Sequence, residues 1–210
     1  MNSPARKLKK SAVKNIVRFP PIKANDGKTI LVESILESKY CLHLEFDPNV
    51  KTYFPQPKKF RIPSDDVDAT YTPDFEIHYV SGARGYVEVK PAEYAAFKHY
   101  QQLFSRFETE LQKINATFMV VNEREIYQQP LLSNYEKLYQ FRKRPSLDMR
   151  NLYRCAAGTN LSMRLSHLIA RLGDRASLRE VYSWLALGYL RFDMNSEPLT
   201  LTTEVDFYVS

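Results

Sequence analysis

Apolar positions along the first part of the chain follow two periods. Between Leu31 and Phe46 they recur at helical spacing, with Val32, Ile35, Leu36, Tyr40 and Leu44 on one stripe, and Asp47-Pro48-Asn49 ends the run. Val50 to Phe54 and Phe60 to Ile62 read as short strands around a Pro55-Gln56-Pro57 turn. A polar loop from Ser64 to Thr70 separates these from two further strands, Tyr71 to Val80 and Tyr86 to Lys90, which Ser81 to Gly85 joins as a hairpin. Tyr94 to Ile114 predicts one long amphipathic helix burying Tyr94, Phe97, Leu103, Phe104, Phe107 and Leu111. Thr117 to Val121 is continuously apolar, as in a strand covered on both faces.

The pattern changes after about Leu132. Residues 134–190 read as short helices broken near Pro145, Gly158 and Gly173, among them Met163 to Leu172 and Leu178 to Leu187. A turn at Asn195 to Pro198 and a strand-like run from Leu199 to Val209 follow. Helices succeeded by a hairpin are the outline of a winged helix. At the other end, residues 1–25 read as a flexible basic arm, with Pro20-Pro21 stopping any helix and Asp26-Gly27 turning into the first regular element. The expected organisation is an arm over 1–25, an α/β domain over 26–132 and a small winged-helix-like domain over 133–210.

Composition narrows the function classes. A hydrophobic share of 44% over 210 residues supplies a core, which excludes wholesale disorder. No run of eighteen apolar residues offers a membrane span, and the basic N-terminus lacks the apolar core of a secretory signal. Cys41 and Cys155 stand far apart without a CxxC context, so a disulfide framework or structural zinc is not expected and a reducing cytosol fits. The net charge of +6 leans toward a polyanionic partner, and its distribution says more. Arg6, Lys7, Lys9, Lys10, Lys14, Arg18 and Lys23 all precede the first acid, Asp26; Arg142, Lys143, Arg144, Arg150 and Arg154 form a second cluster. Such clusters neutralise phosphates and release counterions, or else simply solvate a tail and a helix face.

The chemistry sits on the hairpin. Hydrolysing a phosphodiester requires an activated water and neutralised charge at the phosphate, which a hard divalent ion such as Mg²⁺, held by a few carboxylates, supplies. Tyr71-Thr72-Pro73-Asp74-Phe75 places Asp74 at a strand start, and Gly85-Tyr86-Val87-Glu88-Val89-Lys90 places Glu88 and Lys90 two apart on the next strand. Side chains alternate along a strand, so Glu88 and Lys90 share one face while Val87 and Val89 take the other. The short connection makes Asp74 a neighbour of Glu88. Upstream, Glu33 and Glu37 are four apart on the expected helix, and Glu37, lying deeper, is the favoured third carboxylate. Each piece has a plainer reading, as a strand-start Pro-Asp or an exposed cross-face ion pair; their joint order is what points to catalysis. Asp65, Asp66 and Asp68 lack the glycine and distal glutamate of a calcium loop and read as a solvated turn. His43, His78, His99 and His167 have no ligand spacing, and Cys41 reads as a small core residue.

This arrangement resembles the PD-(D/E)xK restriction-endonuclease-like superfamily, and over residues 28–126 it is similar to the TnsA transposon endonuclease family. The likeness is carried by Leu31 to Glu37, Leu44 to Val50, Phe54 to Pro57, Tyr71 to Phe75 and Glu88-Val89-Lys90-Pro91. It implies a restriction-endonuclease-like mixed central sheet flanked by helices. Glu37, Asp74, Glu88 and Lys90 would correspond to the active site, although the prototype carries glutamine at the Glu88 position. The implied activity is Mg²⁺-dependent cleavage (Mn²⁺ being the alternative ion) at the 5′ ends of a transposon in double-stranded DNA, with Asp74, Glu88, the Val89 carbonyl and Glu37 around the ion. Lys90 would orient or deprotonate the attacking water. Implied partners are a TnsB-type transposase and a TnsC-type AAA+ regulator, and the short chain suggests the CRISPR-associated branch. On this reading Lys7, Lys9, Lys10, Lys14, Arg142, Lys143 and Arg144 touch the DNA backbone. Two alternatives remain open: a non-catalytic DNA-binding or assembly subunit, and a stand-alone repair or restriction nuclease.

Overall fold

A computed structural model describes residues 16–63, 68–157 and 162–209, which form two compact units dividing after Tyr127. The first is a mixed α/β unit. Its centre is a four-stranded sheet of β3 (Val50–Pro55), β6 (Phe75–Tyr79), β7 (Arg84–Val89) and β8 (Ala116–Val121), in the order β3-β6-β7-β8. β6 and β7 pair antiparallel as the expected hairpin, while β8 runs parallel to β7. A parallel neighbour requires a crossover, and α2 (Ala92–Ala95) and α3 (Lys98–Gln112) provide it.

Alternation along β7 sorts the two faces. Tyr86 points toward α3 and joins Ile62, Tyr71, Phe104, Phe107, Leu111 and Ala116 in one buried cluster. Phe107 is its hub, with ring centroids 4.7 Å from Tyr71, 4.9 Å from Phe60 and 5.0 Å from Phe118. Val87 and Val89 point the other way and are buried. That side is covered by α1 (Ile35–Phe46), whose Tyr40 ring lies 5.6 Å from Phe75, the register partner of Val87.

Several sequence expectations are corrected. The helix over 31–46 begins only at Ile35, because Ile30–Val32 forms strand β2 and pairs with β1 (Val17–Phe19). Burial in β2 alternates, Leu31 facing out between Ile30 and Val32, which a helix stripe would not allow. The same pairing removes residues 17–25 from the flexible arm. Glu45, fully buried, fastens them further: its Oε1 accepts from the Ile22 and Lys23 backbone N–H groups at 2.9 and 3.3 Å and from the Tyr53 hydroxyl at 2.9 Å. Ala69 and Thr70, expected in the loop, and Tyr71, expected in the next strand, form strand β5 (Ala69–Tyr71), paired with β4 (Phe60–Ile62), so the hairpin strand expected from Tyr71 begins only at Phe75. The single helix over 94–114 is split: Phe97 is extended (φ −65°, ψ 133°) and starts α3, so Tyr94 and Phe97 remain exposed. β8 is an edge strand buried on one face only, with Met119 exposed. A short helix, α4 (Glu123–Ile126), closes the unit.

The second unit is α5 (Leu131–Lys143), α6 (Met149–Ala157), β9 (Met163–Arg164), α7 (Leu165–Leu172), α8 (Leu178–Leu187), β10 (Leu190–Arg191) and β11 (Glu204–Phe207). The strands form an antiparallel sheet in the order β10-β11-β9. α8 has the bounds its sequence predicts, because Ser177 and Glu180 form a reciprocal cap at its start and Gly188, at φ 81°, ends it. The fully buried Trp184 anchors α8 in the core. α5 lies along α8: the Phe141 and Tyr182 rings are 5.1 Å apart, and Arg142 Nη1 donates to the Ala186 carbonyl at 2.8 Å. Asn134 ties the 194–199 turn to α5 through bonds to the Met194 and Glu197 carbonyls and the Leu199 N–H. Among the described residues, no helix is long and apolar enough to cross a membrane.

Candidate active site

The β6–β7 register sets the geometry. Phe75 opposes Val87, so Asp74, one residue earlier, falls opposite Glu88, one residue later. Two backbone contacts hold Asp74: Val89 N–H donates to its Oδ2 at 2.8 Å, and Gln56 N–H donates to its carbonyl at 2.7 Å. Gln56 adopts a left-handed φ of 46° between two prolines, which turns its N–H toward Asp74. Lys90 prolongs the β7–β8 ladder, its N–H reaching the Val121 carbonyl at 3.0 Å.

As the alternation requires, Glu88 and Lys90 share a face. Lys90 Nζ lies 2.7 Å from Glu88 Oε1, and Tyr71 donates its hydroxyl to Glu88 Oε2 at 2.6 Å. Both carboxylate oxygens of Glu88 are thereby engaged. The ammonium also stands over the Tyr100 ring, 4.3 Å from its centroid. Burial works against the charge on Lys90, but the hydrogen bond and charge of Glu88 outweigh it and hold the amine above its usual range. In this arrangement Lys90 is a cation and a proton donor.

Glu37 is the third residue of α1's first turn. Ser34 caps the helix, accepting from Glu37 N–H at 3.1 Å, and Glu37 answers: Oε1 accepts from Ser34 Oγ at 2.8 Å and Oε2 from Glu33 N–H at 2.9 Å. Glu33 lies ahead of the helix, so the two acids do not share a helical face as the sequence spacing implied, and Glu37 is not deep in the helix.

The three carboxylates feel one another. Burial pushes Asp74 well above the usual carboxylate range, and the charges of Glu88 and Glu37 push it further, against the Val89 N–H and Lys90. Although part of Asp74 reaches solvent, its carboxyl is crowded by protein. Burial raises Glu37 too, with smaller contributions from the charges of Glu33 and Glu88, opposed by its two capping hydrogen bonds. Three acids facing one amine leave an excess of negative charge in a poorly hydrated place, a donor set that fits a hard divalent cation. As the side chains stand, however, no three His, Cys, Asp or Glu residues among those described are arranged to hold an ion. The fit is one of charge and chemistry.

Tyr71, Tyr100, Gln56 and Ser34 belong to this site; Tyr71, Gln56 and Ser34 stand inside the quoted family-like runs, but the sequence assigned none of the four a role. Only Ser34 carried a local signal, the Ser-x-x-Glu spacing of Ser34-Ile35-Leu36-Glu37. Lys7, Lys9, Lys10 and Lys14 lie outside the described residues, as do Asp65 and Asp66; Asp68 pairs with Arg61 at 2.5 Å. Arg142 is committed to the end of α8, and Arg144, exposed, accepts from Arg179 Nη2 through its carbonyl at 3.0 Å. Lys143 occupies the last turn of α5. His43 hydrogen bonds to the Ile126 carbonyl, His78 to Glu76, and Cys41 is buried. Compared with protein-family models the chain matches none, and a comparison with curated proteins finds no match either.

Proposed function

We propose that the protein is a divalent-metal-dependent DNA endonuclease. The observation that carries this reading is the meeting of Asp74 and Glu88 across one hairpin, with Glu37 coupled to both and Lys90 beside them. Asp74, Glu88, the Val89 carbonyl and Glu37 would hold Mg²⁺, which when bound acidifies a water and offsets charge on the phosphate. Lys90, kept protonated by Glu88, faces the phosphate as a cation and holds the water by hydrogen bonding; it is not the resting base. Tyr71 and Tyr100 position Glu88 and Lys90.

The finer reading is a restriction-endonuclease-like fold cutting transposon 5′ ends beside a TnsB-type transposase and a TnsC-type regulator. It is supported by the quoted family-like residues and by the element order β9-α7-α8-β10-β11, which matches a winged helix. Lys7, Lys9, Lys10, Lys14, Lys143 and Arg144 would add sequence-independent attraction to the DNA backbone.

One observation favours a second reading, a non-catalytic DNA-binding or assembly subunit: Tyr71 and Lys90 already satisfy both oxygens of Glu88. A single experiment separates the two. The protein, with and without a TnsB-type transposase, is incubated with transposon-end DNA in Mg²⁺, Mn²⁺ or EDTA, alongside Asp74→Ala. The nuclease reading expects metal-dependent nicks that Asp74→Ala loses. Nicking that persists in Asp74→Ala would falsify the site; no nicking under any condition would favour the assembly subunit.

A further inference from the structure

Where α2 meets α3, aromatic rings continue outward from Tyr100, which itself packs on the core with its ring 5.8 Å from Phe104. Tyr100 lies under the Lys90 ammonium; His99 is 4.2 Å from Tyr100, Phe97 is 5.9 Å from His99, and Tyr94 is 5.7 Å from Phe97, centroid to centroid. Tyr94 is 51% exposed and Phe97 43%, although three large apolar residues of the same helical stretch, Phe104, Phe107 and Leu111, are buried. Flat rings left in water have a use if something flat covers them.

The surroundings say what that is. From Lys90 to Phe107 the chain carries Lys90, Lys98 and Arg106 against one acid, Glu93. Lys98, Gln101, Gln102, Ser105 and Arg106 line a shallow cleft along the solvent side of α3, with no carboxylate among them. Cations and amides for phosphates, next to ring faces for bases, are the two halves of a single-strand nucleic-acid site. A paired base presents no free face to a ring, so the occupant is an unpaired strand. We infer that Tyr94 and Phe97 stack unpaired DNA bases while Lys98 and the α3 cleft hold their phosphates. That this is the strand to be cut rests on the nuclease reading above.

The test uses the full-length Asp74→Asn protein, which cannot consume its ligand, with a single-stranded oligonucleotide containing 2-aminopurine. Binding should quench the fluorophore by stacking. In Tyr94→Leu/Phe97→Leu, which keeps apolar bulk and removes the flat rings, quenching should disappear and affinity fall about thirty-fold or more, the loss expected for two base–aromatic stacks. Tyr94→Phe should retain both. Thermal unfolding checks each variant, and Tyr94→Leu alone serves if the double variant is unstable. Leucine variants that bind and quench like the parent would overturn the proposal, as would equal losses for fully paired duplex. The two readings fail separately. A wild-type protein that never cuts, yet loses quenching in the leucine variant, retains the platform and retires the nuclease. Normal cutting with unchanged binding does the reverse.

Discussion

Replacing Asp74 with asparagine should stabilise the protein while destroying cleavage. Residues directly opposite across an antiparallel pair hold their Cβ atoms about 5 Å apart, so the Asp74 and Glu88 charges stand roughly 5–7 Å from one another. At an effective dielectric near 20, that separation costs about 2–3 kcal/mol when both are ionised. Asparagine removes this repulsion and keeps an oxygen to accept the Val89 N–H, but gives up the stronger charged bond and the attraction to Lys90, together worth about 1 kcal/mol. The net gain once Asp74 is ionised is about 1–2 kcal/mol, or roughly 2–8 °C in Tm for a chain of this size. Its pH dependence has a definite sign. Because the folded-state pKa of Asp74 is raised, the native protein binds its proton more tightly than the unfolded chain does. Wild-type stability therefore falls as pH climbs from the unfolded value near 3.8 through the raised one. The advantage of Asp74→Asn should be smallest near pH 4, where folded wild-type Asp74 is protonated, and should grow as pH rises through the raised value. Calorimetry of both proteins between pH 4 and 8 reads this directly. A lower Tm for Asp74→Asn at pH 7, or a gain that does not depend on pH, would refute the electrostatic account of the site.

Two further outcomes test the frame around it. Glu45→Ala should cost about 3 kcal/mol by leaving the Ile22, Lys23 and Tyr53 donors without their acceptor, with Glu45→Gln costing less; a loss below about 1 kcal/mol in urea denaturation followed by circular dichroism would show that Glu45 does not fasten residues 17–23. Arg142→Ala should lower the stability of the second unit by about 1–3 kcal/mol, because the Ala186 carbonyl loses its donor. Trp184, the sole tryptophan, reports that unit by fluorescence; unchanged stability together with a DNA-binding salt slope reduced by about one would instead make Arg142 a phosphate contact.

What could be read in the sequence was mostly local. The β6–β7 hairpin, the shared face of Glu88 and Lys90 and the bounds of α8 follow from alternation, turn chemistry and capping within a few residues. Failures occurred where tertiary partners decide. Val17–Phe19 is a strand because β2 is there to pair with it, and β2 in turn borrows residues whose spacing also suits a helix. Phe97 interrupts a well-patterned helix by a backbone choice with no proline or glycine to announce it. Tyr71 stands inside the quoted Tyr71–Phe75 run, but its bond to Glu88, 17 positions away, is a tertiary contact that local spacing does not encode. The Ser34–Glu37 cap was legible by its spacing, and it recasts the third carboxylate: Glu37 is a helix-capping group first, so its replacement perturbs α1 as well as charge.

The hairpin that brings Asp74 to Glu88 also fixes when they meet. Only 15 positions separate Asp74 from its backbone donor Val89, whereas β8 joins β7 after the whole α2–α3 crossover. Loop closure favours the nearer pairing, and it brings Lys90 to the acids along with Glu88, two positions away on the same strand face. The electrostatic cost of the site is thus lodged in the most local pairing of the central sheet.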